Sequence, residues 1–384
     1  MKLTKYLKLS FLWYQTKMGK DTKKIVLNIL GIFVISRLLI LFIGYLSNLV
    51  IIKGKWYGTP TSLLDLFFTW DSRWYMSIID EGYHYIPGKE SSIGFFPLYP
   101  LLIKTFSLIF GNPKLIGFII SNIALLAASI YLYKLIKLDF KDSIAFKTVF
   151  YMLIFPLSFF FSIFYTEGIF LFLTISCFYY ARKKKWLAAS VLGFFLSLTR
   201  SLGFLMLLPI LVEYLDIDFK NFKIDKKKVK KDMLYLLLIP SGLLSFMAYS
   251  YIKFGDFLAY FHSKSAWGNK LTSIFTTLNS VRYYEPFYKL IFIGSLIFAL
   301  IFIIYLIYYR VRISYIIYSS LFLFAYLSVG ILEGIPRYVS ILFPLYLGMS
   351  LASKNKFLSY FLTLFSIALL TLFTILFVNG FWFT

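Results

Sequence analysis

The sequence predicts an all-α polytopic membrane protein of about eleven transmembrane helices, with a long first outer loop that carries interfacial helices. Three observations lead there. The 384 residues are 60% hydrophobic and only 15% charged, where soluble domains carry about 25% charged residues. No water-soluble core hides that much apolar surface, so lipid must cover it. Apolar runs recur at lengths suited to about 30 Å of hydrocarbon. The basic residues fall between those runs, so the net charge of +23 reads as topology and contact with anionic lipid. No nucleic acid is expected as a partner.

Residues 1–24 form a basic cytoplasmic segment with seven lysines and the run Phe11-Leu12-Trp13-Tyr14. An amphipathic surface helix and a disordered chain are both open there. The apolar run 25–52 is too long for a signal-peptide core and lacks a small-residue cleavage pattern, so it is expected to stay as the first span. Residues 25–384 are read as one transmembrane domain. Its further spans are placed at about 115–137, 147–163, 167–181, 186–199, 202–215, 233–252, 288–309, 313–331, 338–352 and 357–379. The apolar stretch Phe95–Phe110 contains Pro97, Pro100 and Lys104. Counting it as a span would invert every later loop. With it on the outer face and the N-terminus inside, the inner segments hold 26 of the 40 Lys and Arg, as the positive-inside rule requires. It is therefore placed as an interfacial or re-entrant helix. The large outer loops are then about 53–114 and 253–287.

Cys177 is the single cysteine, and His84 and His262 are the only histidines. An intramolecular disulfide, a cysteine cluster and a His-rich metal site are excluded. Asp71, Asp80 and Glu81 would hold a metal only if the loop folded them together, and no metal or cofactor is expected. No fixed-period repeat or pair of inverted halves is visible, which counts against a secondary transporter.

The least loop-like segments all fall on the outer side. Trp70-Asp71-Ser72-Arg73-Trp74-Tyr75 is either an aromatic belt with a solvated Asp–Arg pair or a carboxylate held at headgroup depth to deprotonate a hydroxyl. Pro97 and Pro100 in Gly94–Pro100 set the angle at which the loop returns to the membrane. Thr166 is expected as an N-cap, with Glu167 favoured at the positive end of the next helix. Arg200 either binds a lipid phosphate or snorkels. Arg37 has the same two readings, with snorkelling or an internal pair preferred. Phe254–Gly268, which contains Asp256, His262 and Trp267, reads as an amphipathic surface helix. Arg337, in Pro336-Arg337-Tyr338, stands at the mouth of a helix and suits phosphate recognition.

Taken in order, these motifs resemble the phosphatidylinositol-glycan class V mannosyltransferase family. The matching stretches are Trp70–Tyr75 with Glu81-Gly82-Tyr83, Phe95–Pro100, Pro156 through Tyr165-Thr166-Glu167, Thr199-Arg200-Ser201, Gly255-Asp256 through Ala266-Trp267-Gly268, and Pro336-Arg337-Tyr338. Together they span about residues 35–350. The family is similar to the GT-C glycosyltransferases, which are polytopic enzymes with a catalytic acid in the first outer loop and polyprenyl-phosphate sugars as donors.

The resemblance implies a GT-C-like fold. It also implies inverting transfer of mannose from a dolichol-phosphate-type donor to a hydroxyl of a lipid-linked or cell-surface glycan. Asp71 matches the catalytic acid, as general base. Arg337, Arg200 and Arg73 are candidates for the donor phosphate. Trp70, Trp74, Tyr75, Glu167, Asp256, His262 and Trp267 are the candidate substrate-binding set. The Lys, Ile and Phe bias points to a prokaryote with an AT-rich genome, hence to a multi-pass plasma-membrane protein with an outward-facing site and an acceptor other than a GPI precursor. A lipid-linked glycan flippase and a non-catalytic membrane subunit are the competing readings.

Overall fold

The computed structural model describes residues 2–217, 219 and 229–382, with side chains from Lys24 onward. Among these residues all regular structure is helical. The first helix, α1 (Lys2–Val50), continues the basic N-terminal segment directly into the first apolar run. The long loop that follows carries α2 (Asp71–Asp80) and α3 (Leu98–Phe110). Next come α4 (Pro113–Ile136), α5 (Asp142–Leu153), α6 (Glu167–Arg182), α7 (Trp186–Ser197) and α8 (Leu207–Leu215). After α9 (Leu238–Phe254), two short helices, α10 (Ala259–Ser265) and α11 (Ile274–Asn279), cross the second large loop. The chain ends with α12 (Pro286–Tyr308), α13 (Ile313–Leu327), α14 (Ile335–Ser340), α15 (Phe343–Ala352) and α16 (Lys356–Val378).

Each of the eleven apolar runs contains helix, but among the described residues five helices are long and apolar enough to cross a membrane: Lys24–Val50, Pro113–Ile136, Lys231–Phe254, Pro286–Tyr308 and Lys356–Val378. The others are shorter. The expected span 147–163 is the clearest difference: α5 stops at Leu153, and residues 154–166 run irregularly around a short 3₁₀ turn, Ser158–Phe161. Pro156 removes an amide donor there. Most of the expected inner loop 216–232 lies outside the described residues. Leu101, Leu108, Ile109 and Phe110 of α3 are exposed, which leaves an apolar face suited to an interfacial helix.

The irregular stretch explains Arg37. Its guanidinium has no carboxylate partner among the described residues. It donates to the carbonyls of Ser158 at 2.7 Å and Leu153 at 2.6 Å, to the hydroxyls of Ser158 and Ser162 at 3.1 Å each, and to Ser36 Oγ at 3.3 Å. A carbonyl that a broken helix leaves without an amide is costly in an apolar interior, and Arg37 supplies donors there together with Ser158 Oγ, which donates to Leu153 O at 2.8 Å. The expected internal pair is thus a set of bonds to backbone and hydroxyls.

Helix α6 packs along α4 and α7 at the centre of the bundle. Its N-terminus comes close to its neighbours because residue 168 is glycine: a Cβ there would lie 2.3 Å from Phe161 O and 2.9 Å from Ser121 O. That approach delivers Glu167 to the interior.

Candidate functional site

The N-terminal ends of α6 and α14 and the C-terminal end of α16 meet the loop around α2 at a cavity of about 690 Å³, within the ordinary range for ligand pockets. Asp71 and Arg337 stand in its wall, and the rings of Trp70, Phe160, Phe377 and Trp382 make its apolar side.

Asp71 opens the first turn of α2. The preceding residue, Trp70, has φ 49°, a left-handed conformation that a bulky side chain rarely adopts. Its ring is held edge-on against Phe377, 4.8 Å away. The approach to Asp71 is tied down twice more, by Tyr165 Oη donating to Thr69 O (3.1 Å) and Ser72 Oγ donating to Phe164 O (3.2 Å). Backbone strain kept in place by surrounding contacts is a common property of reacting centres.

The carboxylate accepts from Arg337 Nη1 at 2.8 Å, so its ion-pair partner is Arg337 and not the expected neighbour Arg73. Arg337 is anchored elsewhere: Nε and Nη2 donate to Glu167 Oε1 at 2.9 and 2.7 Å. Phe160 and Tyr165 flank the guanidinium, with ring centres 5.0 and 4.8 Å away. Glu167 is fully buried and also accepts from Arg200 Nη2 at 2.7 Å. Arg200 in turn lies over Tyr338 at 5.3 Å. Two acids and two arginines therefore balance. Burial alone would raise the Asp71 pKa, but Arg337, Lys264 and Arg200 outweigh it and hold the carboxyl below its usual range.

Lys264 was not among the residues singled out from the sequence. It sits on α10, with its ammonium 4.6 Å from the rings of both Phe95 and Trp267. The ammonium makes no ion pair or hydrogen bond among the described residues, and burial pushes its pKa down to about 8. Arg73 is likewise unpartnered among the described residues, exposed, and in the cavity wall.

The remaining expected residues divide into two groups. Trp70, Trp74 and Trp267 line the cavity. Trp74 stacks on Phe95 at 5.7 Å and meets Trp267 edge-on at 5.5 Å. Tyr75 is 4% exposed and packs edge-on to Phe95 and Tyr99 behind the wall. Asp256 and His262 pair with each other, Oδ2 to Nδ1 at 2.7 Å, and Asp256 also accepts from Tyr85 Oη at 2.8 Å. Neither lines the cavity; they brace the turn into α10. Arg200 and Glu167 act behind Arg337. Thr166 makes no side-chain cap. Asp80 closes α2 while Asp71 opens it, a separation of about 14 Å along the helix, so the loop does not fold Asp71, Asp80 and Glu81 together. Among the described residues no group of three or more His, Cys, Asp or Glu is placed to hold a metal ion. His84, Glu90, Trp56 and Trp382 line the cavity but were not expected there.

Residues 95–251 match the family described as dolichyl-phosphate-mannose-protein mannosyltransferase. No curated protein matches the chain. Among solved structures, the chain is similar to the oligosaccharyltransferase of Archaeoglobus fulgidus tethered to an acceptor peptide, with 13% identity, 91% of this chain covered and a TM-score of 0.46. It is also similar to the Archaeoglobus fulgidus oligosaccharyltransferase AglB in complex with an inhibitory peptide and a dolichol-phosphate, with 11% identity, 92% of this chain covered and a TM-score of 0.44. In both cases the match covers 55% of the longer chain.

Proposed function

We propose that the protein is a membrane glycosyltransferase that moves a sugar, mannose by the family match and the motif order, from a polyprenyl-phosphate donor to a hydroxyl of a glycan or glycolipid acceptor. The observation that carries this reading is the arrangement of Asp71 and Arg337: an ionised carboxylate in a cavity wall, bonded to one end of an arginine whose other end is fixed on buried Glu167. The segment similar to dolichyl-phosphate-mannose mannosyltransferases, residues 95–251, contributes Glu167 and Arg200 to it.

The chemistry follows from the charges. The acceptor oxygen attacks the anomeric carbon, the bond from that carbon to the phosphate oxygen breaks, and the acceptor proton passes to Asp71. The leaving polyprenyl phosphate gains one negative charge and needs no proton, but it does need that charge stabilised. Arg337 Nη1 is the nearest donor able to do so. A donor phosphate competes with Asp71 for that nitrogen, while Glu167 keeps the guanidinium from following either one. As Nη1 turns to phosphate, Asp71 loses its strongest cationic neighbour and becomes the better base. Arg73 and Lys264, with no acid of their own, add positive potential at the cavity. Inversion is expected from single displacement by one base. An outward-facing site in a prokaryotic plasma membrane, with the N-terminus inside, is part of the proposal and rests on the distribution of lysines.

The flippase reading needs a polar route through the bundle. Along α6 the outer cluster at Glu167 and the inner cluster at Arg182 are separated by about 22 Å of helix. Phe170, Phe178, Tyr318 and Phe343 fill that interval, all fully buried. At the inner end Arg182 and Arg312 are already paired with Asp139 and Glu213. This favours catalysis at one face.

The test is incubation of the purified protein with labelled short-chain polyprenyl-phosphate mannose and a lipid extract of the host. A labelled glycolipid product supports the proposal. Failure to consume any polyprenyl-phosphate sugar overturns it.

A further inference from the structure

A second cavity, of about 330 Å³, adjoins the first where the outer ends of α1, α4 and α16 meet the loop 56–69. Arg73, Thr69 and Trp56 line both cavities. We infer that this second cavity binds a neutral sugar ring of the acceptor, with Arg73 at the threshold to Asp71. The inference rests on the transferase reading, which requires two substrates to meet at one base.

The polar groups are matched to a polyol. Asp65 pairs with Lys114 at 2.8 Å, and both side chains keep exposure to the cavity, 17% and 43%. Lys114 first, and the hydroxyls of Thr61 and Ser62 after it, hold the Asp65 carboxyl well below the usual range, so it remains an ionised acceptor. Oδ2 of Asp65 is filled by Thr61 and Ser62, but among the described residues Oδ1 accepts only from Lys114; that oxygen and the remaining hydrogens of the Lys114 ammonium, in a cavity also lined by Trp56, Tyr57 and Phe68, suit vicinal hydroxyls beside an apolar sugar face. A phosphate dianion fits less well, because the Asp65 charge beside Lys114 opposes it.

The cavity is also built. Gly54 N donates to Asn379 O at 2.7 Å and Trp56 N to Gly380 O at 3.2 Å. Lys53 Nζ donates to Asn379 Oδ1 at 2.8 Å, and Tyr57 Oη to Asn48 Oδ1 at 2.7 Å. Gly380, at φ 77°, has Tyr57 N only 2.3 Å from where a Cβ would stand. The rim 54–57 is thus laced to residues 379–380, and its shape does not depend on a ligand. Position also matters: Asp71 and Arg73 share the first turn of α2, so a sugar held beyond Arg73 extends an acceptor toward the carboxylate.

The experiment is photocrosslinking of the purified full chain with an octyl mannoside that carries a diazirine on the sugar, followed by mass-spectrometric mapping. The expected label lies on residues 56–69 and persists in Asp71→Asn, which leaves the second cavity intact. Two variants are compared. Lys114→Met removes the ion pair. Gly58→Leu plugs the cavity from the rim, where a Cβ would stand 3.4 Å from Arg73 Nη2. Each should cut the label about tenfold, the loss expected for one hydrogen bond to a charged group. If Lys114→Met does not fold, Gly58→Leu decides alone. Label confined to lipid-facing helices, or unchanged in Gly58→Leu, overturns the inference. The assay involves no transfer, so its failure is separate from failure of the transferase reading.

Discussion

Replacing Glu167 by glutamine tests whether Arg337 is held from behind. Oε1 of Glu167 accepts three guanidinium bonds, at 2.7, 2.7 and 2.9 Å, and Oε2 has no hydrogen-bond partner among the described residues. Glutamine keeps the shape and one carbonyl acceptor, removes the charge and puts an NH2 in place of the second oxygen. Each bond then falls from about 2 to about 1 kcal/mol, roughly 3 kcal/mol for the set, at the low end for breaking a buried ion pair. The cluster also goes from neutral to a net charge of +1, with Asp71 as the only acid left for Arg337 and Arg200. Arg337 is drawn onto Asp71, and the base weakens. Thermal unfolding in detergent should show a clear loss of stability. Transfer from the polyprenyl-phosphate donor should drop about tenfold, the equivalent of about 1.4 kcal/mol in the barrier. A Glu167→Gln protein with wild-type melting and wild-type transfer would refute the anchoring argument.

Three further outcomes follow from the same geometry. Lys264 carries its charge below a pKa of about 8 and loses it above; the donor KM should therefore rise from pH 7 to 9 in the wild type, and be raised and flat in Lys264→Met. Stability runs the other way, because an unfolded lysine keeps its proton to about pH 10.4, so folding gains between about 8 and 10.4. At Trp70, held at φ 49°, glycine should be less damaging than alanine, since both lose the ring and only alanine keeps a strain of about 1–3 kcal/mol; the melting temperatures of the two variants decide this. Arg37→Met should lower the detergent melting temperature sharply, because the carbonyls of Leu153 and Ser158 and the hydroxyls of Ser158 and Ser162 lose their bonds to the guanidinium; an unchanged melt would show that the irregular stretch holds itself.

Much of the site was legible as misplaced charge. Asp71, Glu167, Arg200 and Arg337 are ionisable residues at the ends of apolar runs, an expensive location that a chain keeps only for pairing or chemistry. Their wiring was not legible. Adjacency suggested that Asp71 pairs with Arg73, whereas the fold spends Arg73 on the cavity rim and brings Arg337 from 266 positions away. Lys264 looked like one more cation on a surface helix; only the folded placement of Phe95 and Trp267 around it sets it apart. Trp56, Phe377 and Trp382 are aromatic residues in a chain that is 22% aromatic, so no pattern separates wall from core. The helices were readable from apolar length, but the break at 154–166 was not, because Ile154, Phe155, Leu157 and Phe159–Phe161 continue the apolar run through it. Pro156 and the serines at 158 and 162 were the available signals.

The central claim is that the Asp71 carboxylate takes the proton from the acceptor. The most direct measurement compares purified wild type with Asp71→Asn, under saturating labelled polyprenyl-phosphate mannose, in a single turnover with host lipid extract. Asparagine keeps the size and a carbonyl acceptor for Arg337 but takes no proton and competes less with the donor phosphate for Nη1, so the account predicts donor binding at least as tight as in the wild type and a transfer rate lower by at least about 100-fold, the lower range for a general base. Transfer by Asp71→Asn at a rate close to wild type would contradict it.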